Sequence, residues 1–167
     1  MELYADFDYY KSTYLGAMVP DEKIFAAYGR KAQRRMDQAT TGKLSFAFPV
    51  KEDSVEAVKD CLCELVDFMK AVDDYRKNIN DSIGYRSGEN GEAIGKVVTS
   101  VTSGSESRSY SSGSSEKTTL SVAAMDEKEY DTQIYSVIRD NLSMKEDANG
   151  INLLFAGPYP GKCEIWE

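Results

Sequence analysis

Residues 53–79 read DSVEAVKDCLCELVDFMKAVDDYRKNI, and this stretch decides the fold class. Val55, Val58, Leu62, Leu65, Met69, Val72 and Tyr75 recur at spacings of three and four, the period of one face of an α-helix. Cys61, Val66 and Phe68 widen that face into a band. Asp53 and Glu56 stand three apart at the start, as in a capping box, so a helix is expected over 54–79. A helix of that length, apolar along one side, is a scaffold for shorter elements.

Upstream, Pro20, Asp21 and Glu22 open a second expected helix over 21–39, because Pro suits a helix start and acids suit the positive end of its dipole. Phe25, Tyr28, Ala32, Met36 and Ala39 form its apolar stripe, and Thr40-Thr41-Gly42 ends it. A first helix over 6–14 has Asp6 as N-cap and Gly16 as stop signal, with Phe7, Tyr10 and Tyr14 on one face. Leu44 to Val50 reads as a connector whose Phe46 and Phe48 drop onto the core.

Downstream, residues 81–119 are rich in Ser and Gly. Val97, Val98, Thr99, Val101 and Thr102 are β-branched and partly alternating, and Gly104 follows, so the segment is either a β-hairpin turning near Gly104 or a flexible loop. So long a stretch without a helix exceeds a passive connector, and insertions of that kind generally carry function. A last helix is expected over 126–142, again with a capping-box pattern at Asp126 and Glu129 and with Tyr130, Ile134, Val137 and Ile138 as its stripe. Asn149-Gly150 is a turn, Ile151 to Phe155 is a short apolar run, and Gly157, Pro158, Pro160 and Gly161 impose an extended tail over 151–167 that ends near Trp166. The fold class is therefore mainly α: a small bundle of about four helices in one domain, with an inserted hairpin or long loop and an extended C-terminal tail.

Composition narrows function. The chain has no histidine, which removes Ser-His-Asp and Cys-His nucleophiles and imidazole metal sites from within it. Cys61 and Cys63 lie two apart on a helix, so their side chains diverge and read as core filling, not as a metal pair. Neighbouring carboxylates such as Asp73 and Asp74 also diverge, and acid–base catalysis needs convergence in a cleft. No cofactor, metal or catalytic residue is expected. Acids outnumber bases 28 to 20, a balance that opposes wrapping of nucleic acid. The basic run Arg30, Lys31, Arg34, Arg35 is a stripe suited to solvent or to an acidic surface. No apolar run is long enough to span a membrane and no signal peptide opens the chain, so the protein reads as intracellular, with free thiols.

The order of these pieces resembles the head–tail connector (adaptor) family of tailed bacteriophages. The opening Tyr4 to Gly16, with Tyr9-Tyr10 and Tyr14 inside it, is similar to that family's Tyr-rich first phrase. Pro20-Asp21-Glu22, the Ala- and Arg-containing run to Gly42, and Val58 through Cys61 and Cys63-Glu64-Leu65 follow in family order. Ser103 to Ser111 resembles the family hairpin, and Gly150 to Gly157 resembles its C-terminal ending. Ala156 replaces the basic residue usual before the last Gly, and the hairpin lacks its central Val-Gly.

The resemblance implies a non-enzymatic helical subunit that assembles with copies of itself into a ring, usually of twelve, beneath the portal protein. Such a ring extends the DNA channel, passes DNA without specific binding, and docks a stopper or tail-completion protein. The expected location is the virion neck, after synthesis in the host bacterial cytoplasm. An acidic channel wall repels phosphate and lets DNA slide. Candidate interface residues are Val97, Val98, Val101 and Tyr110 in the insertion, and Leu153, Leu154, Phe155, Tyr159 and Trp166 in the tail. The alternative is a small soluble helical adaptor that binds a protein partner through a flexible Ser-rich arm.

Overall fold

The structure, a computed structural model, describes residues 3–87, 93–102, 107–111, 118–157 and 159, with backbone alone for those between 79 and 111. It is mainly helical. Helices α1 (Phe7–Ser12), α2 (Glu22–Ala39), α3 (Lys43–Phe46) and α4 (Glu52–Ser82) precede strands β1 (Ile83–Ser87), β2 (Ala93–Thr102) and β3 (Ser107–Ser111); α5 (Thr119–Met125) and α6 (Glu127–Leu142) follow. The chain divides into two compact units, residues 1–67 with 134–167, and residues 68–133.

In the first unit the apolar stripes meet. Phe25, Ala32 and Met36 of α2, Val58, Leu62 and Leu65 of α4, and Ile134, Ile138 and Leu142 of α6 are all at most 1% exposed. Burying each large aliphatic chain contributes about 1.5–3 kcal/mol. The α2 stripe is shifted from its expected course. Gly29 and Gln33 are buried, whereas Tyr28 and Ala39 are half-buried. A Cβ at Gly29 would approach Leu3 Cδ1 to 2.9 Å, so the glycine lets the N-terminal segment lie close to the helix.

Three boundaries differ from expectation for identifiable reasons. The long helix begins at Glu52, because the Lys51 carbonyl already accepts the Ser54 and Val55 amides. Asp53 therefore lies in the first turn and is not a cap; its carboxylate takes the Lys145 ammonium at 3.3 Å. The first helix stops at Ser12, two residues short, where Thr13 and Tyr14 both bond the Tyr9 carbonyl. The connector at 44–50 contains the one-turn helix α3, which buries Leu44 and leaves Phe46 49% exposed. Leu44, not Phe46, is the anchor there, and Phe48 packs on the Tyr4 ring at 5.4 Å.

In the second unit, α5 was not anticipated. Its Thr118 N-cap and Ser121 exchange backbone and side-chain bonds in a Ser/Thr capping box. Arg76 Nε donates to the Ala124 carbonyl at 2.8 Å, and its guanidinium stands 5.3 Å from the Tyr130 ring centroid. Phe68 stacks on the same ring at 5.7 Å. The strands form an antiparallel sheet in the order β1-β2-β3, with an irregular register between Val98 and Ser100. The expected turn at Gly104 lies outside the described residues.

Candidate functional site

The candidate interface residues fall into two groups that the structure treats differently. In the sheet, Val97 is paired by backbone register with Ile83 and Ser111, Val98 with Tyr110, and Val101 with Arg108. β1 covers residues 93–97 of β2 and β3 covers residues 97–102, so Val97 alone is paired on both sides; three of the four candidates lie on the central strand and Tyr110 on an outer one.

The C-terminal segment is built around two buried charged groups. Lys43, 2% exposed, donates to the Leu153 carbonyl at 3.2 Å and to the Phe155 carbonyl. Its ammonium lies 5.7 Å from the Phe155 ring centroid. Burial lowers the lysine pKa, and the nearby Asp147 charge opposes that shift. Asp147, 3% exposed, accepts the Asn149 amide at 2.8 Å, the Ile151 amide at 2.9 Å and the Tyr159 hydroxyl at 2.6 Å. Burial pushes its pKa up, but these three hydrogen bonds and the Lys43 charge outweigh it, and the net shift is downward. This is an Asx turn whose Gly150, at φ +74°, takes the left-handed corner.

Within that frame, Leu153 is fully buried, so its side chain belongs to the core. Leu154 is half-buried. Phe155 is 45% exposed and Tyr159 half-exposed, its ring meeting Phe46 edge-on at 5.2 Å. Trp166 lies outside the described residues. Phe46 and Tyr159 thus form one partly exposed aromatic pair, and Phe155 stands separately beside the Lys43 ammonium.

The N-terminal segment is held by tyrosines. Tyr4 donates to Asp37 at 2.6 Å, Tyr9 to Asp60 at 2.8 Å and Tyr10 to Asp67 at 2.5 Å. Tyr10, fully buried, also accepts the Val19 amide at 3.1 Å. Burial, reinforced by the facing carboxylates, raises all three phenols, Tyr10 to about 12. Burial likewise raises Asp67, against the Tyr10 hydrogen bond and the Lys11 charge. These groups are locked neutral donors and a fixed acceptor, an arrangement for docking one element on another.

Other reactive groups are inert in place. Cys61 and Cys63 are both fully buried, and burial pushes the Cys63 thiol up to about 12 and Cys61 higher still. Among the described residues no group of three or more Cys, Asp or Glu is placed to hold a metal ion. None of their helices is long and apolar enough to cross a membrane. Sequence reading missed Lys43 and Asp147; a lysine just after a helix-ending Gly and an Asp two before Asn-Gly were the only local signals. No protein-family model, curated protein or solved structure matches the chain.

Proposed function

We propose that this chain is a structural, non-enzymatic connector subunit of a tailed-phage neck, forming a ring under the portal, extending the DNA channel and docking the stopper or tail. The observation that carries the reading is the ordered run of sequence phrases, from Tyr4 to Gly157, over nearly the whole chain. A mainly helical architecture with a long polar insertion is what such a subunit needs. In this reading the helices make a small bundle, and the insertion between α4 and α5 reaches a neighbouring subunit. The net charge of −8 suits a channel wall that DNA slides past. The half-exposed Phe155 and Tyr159 suit contact with a portal or stopper, since aromatic residues are enriched at interfaces.

The Ser-rich character of residues 100–115 favours a second reading, a soluble adaptor that engages a protein partner through this arm. Light scattering on the purified chain, alone and with a portal ring, separates the two. A connector closes into a ring on the portal. A chain that keeps its mass in the presence of portal removes the connector reading and leaves the adaptor.

A further inference from the structure

The chain holds two Asn-Gly pairs, at 90–91 and 149–150, and the structure describes the surroundings of the second. Asparagine is a thermolabile residue, above all before glycine, because a neighbour without a Cβ leaves its amide nitrogen open to approach the Asn carboxamide. Asn149 and Gly150 are both exposed, so water reaches the pair. The reaction needs no other partner. The Gly150 nitrogen bonds to Asn149 Cγ and gives up its proton, the Cγ–Nδ2 bond breaks, and ammonia leaves with that proton. Water then opens the succinimide ring at either carbonyl. The product is aspartate or, with the main chain rerouted through the side chain, isoaspartate.

The fold ties up both reacting groups. The Gly150 amide donates to the Asp147 carbonyl at 3.1 Å, which holds the attacking nitrogen in the turn. The Asn149 carboxamide, which supplies the leaving group, donates to the Tyr159 hydroxyl at 2.6 Å. That hydroxyl donates in turn to Asp147 Oδ2 at 2.6 Å. Its single proton is committed there, so it accepts from Asn149. A carboxylate at 149 is an acceptor only, and it would compete with Asp147 for the one hydroxyl proton. Isoaspartate also lengthens the main chain inside a turn whose Asn149 and Ile151 amides converge on Asp147 Oδ1. Either product breaks the chain of bonds from Asn149 through Tyr159 to Asp147.

We propose that Asn149-Gly150 is a one-way deamidation switch: the closed turn protects it, and reaction in the opened turn removes the amide that latches Tyr159, so the latch does not re-form. The switch is independent of the connector reading and requires no assembly.

The test incubates the full-length chain in warm, mildly alkaline buffer, folded or in urea, and follows its tryptic peptides by mass spectrometry; the peptide 146–162 carries Asn149. In the folded chain Asn149 should convert at least about tenfold more slowly than in urea, because reaction waits on local opening. Tyr159→Phe removes the hydroxyl that holds the leaving amide. It should speed the folded reaction about fivefold, the size of one hydrogen bond, with the urea rate unchanged. Converted chain, separated by its added negative charge on anion exchange, should show faster amide exchange over residues 147–155, with exchange in α2 unchanged. Asn149→Asp should do the same without any incubation. Equal rates folded and in urea overturn the proposal, since the turn then protects nothing. So does a folded rate that Tyr159→Phe leaves unaltered, or a converted chain whose exchange over 147–155 matches the wild type. Absence of conversion even in urea removes the chemistry itself.

Discussion

At the N-terminal end of the first unit, hydroxyls of Tyr4, Tyr9 and Tyr10 each find a carboxylate on α2 or α4. At the C-terminal end, Lys43 and Asp147 instead hold backbone carbonyls and amides of residues 149–155. The difference follows from secondary structure. In α1 the backbone satisfies much of itself, so only side-chain hydroxyls need partners to be buried. The segment after α6 is irregular, and its buried backbone groups have no ladder to join, so charged side chains take their place. One end is fixed by side-chain recognition, the other by capture of the main chain.

Removing the captor should have the largest effect. Lys43→Met keeps the volume but leaves the Leu153 and Phe155 carbonyls without their buried donor, and should cost about 3 kcal/mol. Urea unfolding reads the loss, and faster amide exchange confined to residues 145–155 would place it. A loss spread evenly over α1 as well would break the contrast between the two ends.

Gly16→Ala should come next, at about 2 kcal/mol, because a Cβ there would overlap the buried Tyr10 ring. Tyr10→Phe should cost about 1–2 kcal/mol by stranding both the Asp67 carboxylate and the Val19 amide. Tyr9→Phe, at a half-buried residue with a single partner, should cost less, about 0.5–1 kcal/mol. Equal costs for the two tyrosines, measured by the same unfolding midpoint, would show that burial does not set the strength of these bonds.

The smallest and most discriminating effect is the sign of the pH dependence. Asp147 is shifted down in the fold, so its contribution is present above the ordinary carboxylate pKa and is lost as pH falls through its folded value. Asp67 is shifted up, so its protonation is favoured by folding, and its site gains stability as pH falls from its raised value toward the ordinary one. The stability gap between wild type and Asp147→Asn should therefore narrow on acidification. The gap to Asp67→Asn should shift in favour of wild type over the same range. Parallel trends in thermal melts from pH 6 to about pH 3 would contradict the opposed shifts.

Much of the helical framework was legible because periodicity reports burial directly. The stripe Val58, Leu62, Leu65, Met69 and Val72 is buried throughout, and Ile134 and Ile138 are buried on α6. Asp6 and Asp21 cap their helices as their side-chain chemistry requires. The capping pattern misled at Asp53, because a Lys51 carbonyl free to accept extended the helix past it. It was half realised at Asp126, which accepts the Lys128 amide at 2.9 Å while Glu129 takes the Gln133 side-chain amide.

The sequence by itself determined α1, α2, α4 and α6, most of their buried faces and the turn at Asn149-Gly150, since these rest on neighbours three or four positions apart, whereas the short helices α3 and α5 carry too few turns to show a period. Only the tertiary structure decided that Tyr10 would meet Asp67, that Lys43 would reach Leu153 and Phe155, and that Leu153 would lie in the core while Phe155 stayed half outside. Those partners are 57, 110 and 112 residues apart. A hydrogen bond across such a separation depends on where packing places whole elements, and no local pattern of residues encodes that.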